Sequence, residues 1–169
     1  MMLTRPLIAA LLLAAAGASL AGREDLLKVA PDRINAWRAV ADATVYGRGD
    51  GIVDIYNGGY EVYTRAGVTE ALRRMYAQGD RYVEVTAHTM TSSRAARSFL
   101  ADRYRLEMKA APPEGQFKRF AASGSGSTTA YAVEGRYFLT VVVYGQSEAA
   151  RNQALGFVKV LEQNASRLR

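Results

Sequence analysis

The sequence predicts an α+β fold: a single domain in which an antiparallel sheet, built from two β-hairpins, has helices packed on it. Three observations predict it. Strand-like runs come in pairs, residues 69–76 with 81–90 around Ala77-Gln78-Gly79-Asp80, and residues 128–133 with 136–144 around Glu134-Gly135. Segments of helical periodicity headed by serines separate and follow these pairs. The turns are too short for the crossovers that parallel strands require.

Taken in order, residues 1–21 read as a signal peptide. Arg5 gives a positive start, residues 7–16 are apolar and uncharged, and Ser19-Leu20-Ala21 offers the small residues a signal peptidase reads. The apolar run is shorter than the ~20 residues that span a bilayer as a helix, and an uncleaved N-terminal anchor is the alternative. Cleavage near Ala21 delivers residues 22–169 to the periplasm or the exterior. Residues 22–43 form an N-terminal segment, a mobile start followed by a short packed stretch around the sole tryptophan, Trp37; residues 44–169 form the α+β domain. The 169-residue chain has no cysteine, so no disulfide supports it.

Thr44-Val45-Tyr46 suits a short strand, and the glycine-rich stretch after it suits a turn in which Asp50 caps the next helix. That helix is expected over residues 51–67. Ile52, Tyr56, Tyr60 and Tyr63 share one stripe of it, widened by Ile55, Gly59, Val62 and Ala66. Asp54, Asn57, Gly58, Glu61 and Arg65 lie opposite, and Gly67 fits the left-handed position past the helix end. In the strand over 81–90, Tyr82, Glu84, Thr86 and His88 share one face and Val83, Val85 and Ala87 the other, so His88 is expected to be partly exposed.

Thr91, Ser92 and Ser93 offer an N-cap to a helix over 94–104 that buries Ala95, Ala96, Phe99, Leu100 and Tyr104. Pro112-Pro113 forces a loop, residues 116–122 suit an edge strand, and the Ser-Gly alternation over 123–127 suits a flexible connection. Residues 138–144, apolar on both faces apart from Thr140, predict a central strand. Ser147 caps the last helix and Glu148 favours its positive end. Ala150, Ala154, Phe157, Val158, Leu161 and Ala165 give that helix one apolar stripe.

At Tyr56-Asn57-Gly58-Gly59-Tyr60-Glu61-Val62-Tyr63 the chain resembles a family of exported bacterial proteins classed as a domain of unknown function, whose helix motif is Asn-Gly-Ala-Ala-Glu-X-Tyr. Asn57, Gly58, Glu61 and Tyr63 match that motif. His88-Thr89-Met90 stands where the family has Tyr-Asp-Met, and the likeness covers residues 37–104. The resemblance implies export and a single α+β domain; it brings no activity, cofactor or substrate.

A glycine inside a helix costs about 1 kcal/mol relative to alanine, so Gly58 on the polar side calls for a backbone or ligand coming close. The candidate binding edge is therefore Asn57, Gly58 and Glu61, with Tyr60 and Tyr63 behind it and His88 as a further candidate. No catalytic set is found. His88 is the sole histidine, no Gly-X-Ser-X-Gly elbow accompanies it, and zinc draws several His or Cys ligands. Gly47-X-Gly49-X-Gly51 has the wrong spacing for a dinucleotide fingerprint, and no calcium-loop pattern occurs. No metal or cofactor is expected. Asp54, Glu61 and Glu84 offer carboxylates for glycan hydrolysis, while Glu61 also has Arg65 four residues on as an ion-pair partner.

The expected function is an exported, non-catalytic binding or accessory domain for an envelope ligand or protein. The alternatives are a carboxylate-dependent hydrolase of an envelope polymer and a structural partner in an envelope assembly. The net charge is +6, with 22 Lys and Arg against 16 acids. Arg73, Arg74, Arg81, Arg94, Arg97, Arg103, Arg105, Lys109, Lys118 and Arg119 cluster mid-chain as a solvated face, with contact to an acidic polymer, or weak contact to an anionic membrane surface, as the sharper reading. No nucleic-acid-binding motif is present, and no feature of the sequence sets an oligomeric state.

Overall fold

Alternating strands and left-handed turn residues build one antiparallel sheet of seven strands. The computed structural model describes residues 22–56, 58–115 and 117–168; the expected signal peptide, residues 1–21, lies outside them. The strands are β1 (Arg33–Ile34), β2 (Trp37–Arg48), β3 (Val68–Gln78), β4 (Arg81–Met90), β5 (Arg119–Gly124), β6 (Ser127–Glu134) and β7 (Tyr137–Tyr144). Helix α1 covers residues 22–29. A 3-10 helix (Gly49–Ile55), α2 (Glu61–Arg65), α3 (Ser93–Met108) and α4 (Glu148–Ser166) follow.

The strand order is β1-β2-β3-β4-β7-β6-β5. Two local meanders, β1 to β4 and β5 to β7, meet at a seam where β4 pairs with β7, from Val83 opposite Val143 to Thr89 opposite Tyr137. The α+β expectation holds. The sheet nevertheless contains two further tight hairpins, β1–β2 around Asn35-Ala36 and β5–β6, where the run over 123–127 is two strand ends and a two-residue turn and not a flexible connection. Ser125 and Gly126 take φ of 52° and 83°, the left-handed pair a two-residue hairpin loop needs. The segment over 22–43 supplies α1, β1 and the start of β2, whose pairing with β3 shifts register between Ala39 and Thr44.

One face of the sheet is apolar. Leu72, Tyr76, Val85, Leu139 and Val141 pack against Leu26 and Val29 of α1 and against the α4 stripe, whose six expected residues are all buried. Trp37 is buried here, edge-on to Phe157 at 5.6 Å between centroids. Ser147 accepts from the Ala150 amide at 3.2 Å and caps α4.

The carbonyls that α1 leaves unpaired at its C-terminal end find side-chain donors. Val29 accepts from Asn164 Nδ2 at 3.1 Å, Ala30 from Arg74 Nη1 at 2.8 Å, and Pro31 from the Tyr76 hydroxyl at 2.7 Å. Arg74 therefore leaves the solvated basic face on which the sequence placed it. It is buried, and it also pairs with Asp32 at 2.6 Å.

The second face is covered by α3, the 3-10 helix and α2. Ala96, Phe99 and Leu100 of α3 join Ile52, Ile55, Met90, Tyr131 and Phe138 in a second cluster. Ser92 caps α3 by accepting from the Ala95 amide at 3.0 Å, as expected. On the outermost strand β5, Arg151 of α4 donates to the Ala121 carbonyl at 2.7 Å, which blunts the edge against added strands.

The chain leaves β2 and folds back on it at once. A Cβ built on Gly47 would lie 2.1 Å from the Gly51 carbonyl oxygen, a backbone atom that cannot swing away. Gly47→Ala is expected to destabilise the fold by about 1–3 kcal/mol in urea denaturation. Gly51→Ala, with open space around its Cβ, is the matched control and is expected to stay within about 0.5 kcal/mol of the parent.

Candidate functional site

The stretch between β2 and β3 carries most of the sequence candidates, and it is not one helix. A 3-10 helix, Gly49–Ile55, and the short α2, Glu61–Arg65, are separated by Gly58 and Gly59 at φ of +93° and +73°. The glycine pair is there for left-handed backbone. Nothing lies within 4 Å of a Cβ built on either residue, so among the described residues no protein atom makes the close approach expected at Gly58. Asp50 sits in the first turn of the 3-10 helix and does not cap it, since Arg48 holds the extended N-cap position. Gly67, at φ +101°, follows α2 as expected. Asn57 lies outside the described residues.

His88 is fully buried, against the expectation of partial exposure, because the segment over 49–67 and α3 close over its face of β4. Its Nδ1 is 2.9 Å from the Phe138 carbonyl. A carbonyl only accepts, so Nδ1 carries the proton and Nε2 is left as an acceptor. The Tyr56 hydroxyl donates to Nε2. Tyr63 stacks on Tyr56 at 4.0 Å between centroids and lies within 8° of parallel to the His88 ring. Phe99 meets Tyr63 edge-on at 5.5 Å and passes the contact on to Phe138.

Burial raises the pKa of both Tyr56 and Tyr63, so both phenols stay protonated. Burial also lowers His88 to about 4, with the Phe138 carbonyl opposing it. The ring is therefore neutral at physiological pH, with both nitrogens engaged. Beside this stack, Arg103 Nη2 donates to Glu107 at 2.7 Å and to the Tyr131 hydroxyl at 3.2 Å, which holds α3 to β6.

Tyr60 and Glu61 stand elsewhere, on the rim of an open groove of ≈ 610 Å³. Arg48, Asp50, Thr64 and Thr69 line it, over Ile52 and Val68. Arg48 is held by Glu70 at 3.4 Å. The Thr64 and Thr69 hydroxyls donate to the Glu61 and Thr89 carbonyls at 3.3 and 3.1 Å, so their oxygens offer lone pairs to the groove. Asp50 and Glu61 add carboxylates, making the groove rich in acceptors. Arg65 Nε bonds the Glu61 main-chain carbonyl at 3.2 Å instead of its carboxylate, leaving that carboxylate to the groove side.

The predicted edge thus divides in two. Tyr60 and Glu61 face the groove, Tyr63 and His88 belong to the buried stack, and Gly58 is exposed with open space about it. Of the three candidate acids, only Glu61 lines the groove; Asp54 is exposed on the 3-10 helix and Glu84 lies mid-strand in β4. Sequence reasoning missed Arg48, Thr64 and Thr69, which come from three elements that only the fold brings together. Among the described residues no three His, Asp or Glu side chains converge to hold a metal ion, and no helix is long and apolar enough to cross a membrane.

No family model matches the chain, and no protein of curated function matches it in sequence. Among solved structures it is similar to the extracellular domain of PknH from Mycobacterium tuberculosis, at 14% identity and a TM-score of 0.48, over 85% of this chain and 91% of that one.

Two outcomes test the site's physics. The folded state holds His88 near 4 while the unfolded chain titrates at 6.5, so unfolding takes up a proton between those values. Stability is full above pH 6.5, falls as pH drops toward 4 by up to about 3 kcal/mol, and does not return below that. His88→Gln is expected to remove this extra slope when urea midpoints are compared across that range. Gly58→Ala is expected to cost about 1–2 kcal/mol despite the empty space around it, because alanine resists the left-handed backbone.

Proposed function

We propose that this protein is an exported, non-catalytic binding domain whose groove at Tyr60 and Glu61 takes a hydroxyl-rich ligand of the cell envelope, of which a glycan is the best fit. One observation carries the reading: the groove offers acceptors and an aromatic ring, while the sole histidine is walled off with both nitrogens occupied. Ligand hydroxyls donate to the Thr64 and Thr69 oxygens and to the Asp50 and Glu61 carboxylates. The Tyr60 ring supplies a flat apolar surface for a sugar face. Export rests on the positive start, apolar run and small residues within 1–21.

A hydrolase of an envelope polymer fits less well. Its general acid needs a buried setting to keep its proton, whereas Asp50 and Glu61 are both exposed.

The reading is tested by calorimetric titration with a panel of envelope oligosaccharides. Tyr60→Ala and Glu61→Gln are each expected to weaken binding about tenfold or more, the range for losing a stacking ring or a charged hydrogen bond. Glu61→Gln, at an exposed position, should leave the melting temperature unchanged. Binding of no oligosaccharide, or binding indifferent to both substitutions, would sink it.

A further inference from the structure

Strand β3 puts opposite charges under the two ends of α1. At the C-terminal end the Arg74 guanidinium donates to the Ala30 carbonyl at 2.8 Å. At the N-terminal end lies the Glu70 carboxylate: a Cβ built on Gly22 would come 2.6 Å from Oε1 and closer still to Oε2. Glu70 and Arg74 share one face of β3 and stand about 13 Å apart, four residues of strand. Helix α1, residues 22–29, spans about 12 Å. An anion at the start of a helix and a cation at its end both suit its dipole. Glu70 is only 7% exposed, so its charge needs partners. Its Oε1 has one in the half-exposed Arg48, whose Nε is 3.4 Å away. Its Oε2 is the oxygen nearer Gly22. The Gly22 nitrogen is about 2.5 Å from such a Cβ, which places it within about 5 Å of both oxygens.

We propose that Glu70 receives the α-ammonium group that processing leaves on Gly22, so that the mature chain closes a buried ion pair the precursor lacks. The step is hydrolysis of the Ala21–Gly22 peptide bond by a signal peptidase, at the site that Ser19 and Ala21 offer. Water supplies the hydroxyl of the new Ala21 carboxyl, whose proton goes to the freed amine. Before cleavage the Gly22 nitrogen is a neutral amide with one N–H. Afterwards it is a cation with three donors, and Glu70 has lone pairs left to accept from it. Glycine suits this position, since a side chain there meets the Glu70 carboxylate. This role for Glu70 rests on the export reading above, and export in turn fastens the start of α1 to β3.

The test uses the full 169-residue chain, expressed with its own leader in a bacterial host. The mass of the exported protein gives its first residue, expected to be Gly22. The pKa of its α-amino group is then read from the pH dependence of trace acetylation. The charges facing that group are Glu70 from β3 and Arg48 from β2. On α1 itself, Arg23 and Glu24 are exposed, Arg23 lying over the Tyr46 ring, and Asp25 is taken by Lys28 at 3.1 Å. Glu70→Gln is expected to lower the α-amino pKa by about one unit or more, a tenfold change in proton affinity. Arg48→Gln is expected to raise it. Gly22→Ala, which displaces the carboxylate without removing it, is expected to lower it as well, and reads the same loss should Glu70→Gln not fold. The proposal is overturned if the exported chain begins at another residue, or if the α-amino group titrates alike in the parent, Glu70→Gln and Gly22→Ala. An uncleaved chain held in the membrane also overturns it, yet leaves the glycan groove standing, because oligosaccharide binding does not need the cut. A chain that stays in the cytoplasm overturns it together with the export on which both readings rest.

Discussion

A histidine with no exposed surface must have both ring nitrogens bonded, since a buried polar atom left unpaired costs about 1–3 kcal/mol. His88 meets that demand from two directions. One partner, the Phe138 carbonyl, comes from the neighbouring strand of the sheet. The other, the Tyr56 hydroxyl, comes from outside the sheet, on the segment between β2 and β3. The need of one ring therefore fixes where that segment lies. Tyr63 stacks on Tyr56 in consequence, and Arg73 secures the same place by donating to the Ile55 carbonyl at 2.7 Å. Tyr60 and Glu61 fall between these anchors, so the groove owes its rim to a bond buried behind it.

The two faces of the sheet answer different requirements. The face under α1 and α4 is mostly aliphatic, with Trp37 and Tyr76 meeting Phe157 edge-on, and Arg74 and Asn164 serve the carbonyls at the end of α1. The other face is aromatic, with rings in contact from Tyr56 through Phe99 and Phe138 to Tyr131 and Phe120. Rings that meet edge-on or offset have preferred geometries in a way that aliphatic side chains do not. That face can hold short, irregular pieces such as the 3-10 helix and α2 in one arrangement, which their own few hydrogen bonds would not maintain.

What was legible in the sequence was local. β4 occupies the predicted residues 81–90, Ser92 and Ser147 cap the helices they were expected to cap, and the α4 stripe is buried throughout. Each of these depends on residues a few positions apart. The fate of His88 was not legible, because alternation along β4 tells which residues share a face but not what crosses it. The break at Gly58 and Gly59 was visible as composition, yet a wheel drawn through it still aligned the tyrosines. Two short helices lying along one sheet leave Tyr56 and Tyr63 on the same side as one continuous helix would. Ser125 and Gly126 were misread for a related reason: a linker and a left-handed turn use the same residues, and only the strands on either side distinguish them. The groove was least legible, since Arg48, Tyr60 and Thr69 come from different elements.

The seam between β4 and β7 also bears on how the molecule assembles. Every other strand pairing joins sequence neighbours, so each meander can zip up from its own turns. Joining them requires the chain between Thr89 and Tyr137, with α3 and the β5–β6 hairpin inside it, to be closed into a loop. Closing a loop of that length costs about 3 kcal/mol in chain entropy, several times the cost for a hairpin turn. The side-chain bond from His88 to the Phe138 carbonyl crosses this seam, one pair from its Thr89–Tyr137 end, and forms only with this slow, non-local step. The groove, whose position depends on His88, is therefore complete only once the two halves of the sheet have met, and a chain arrested with separate meanders has strands but no formed groove.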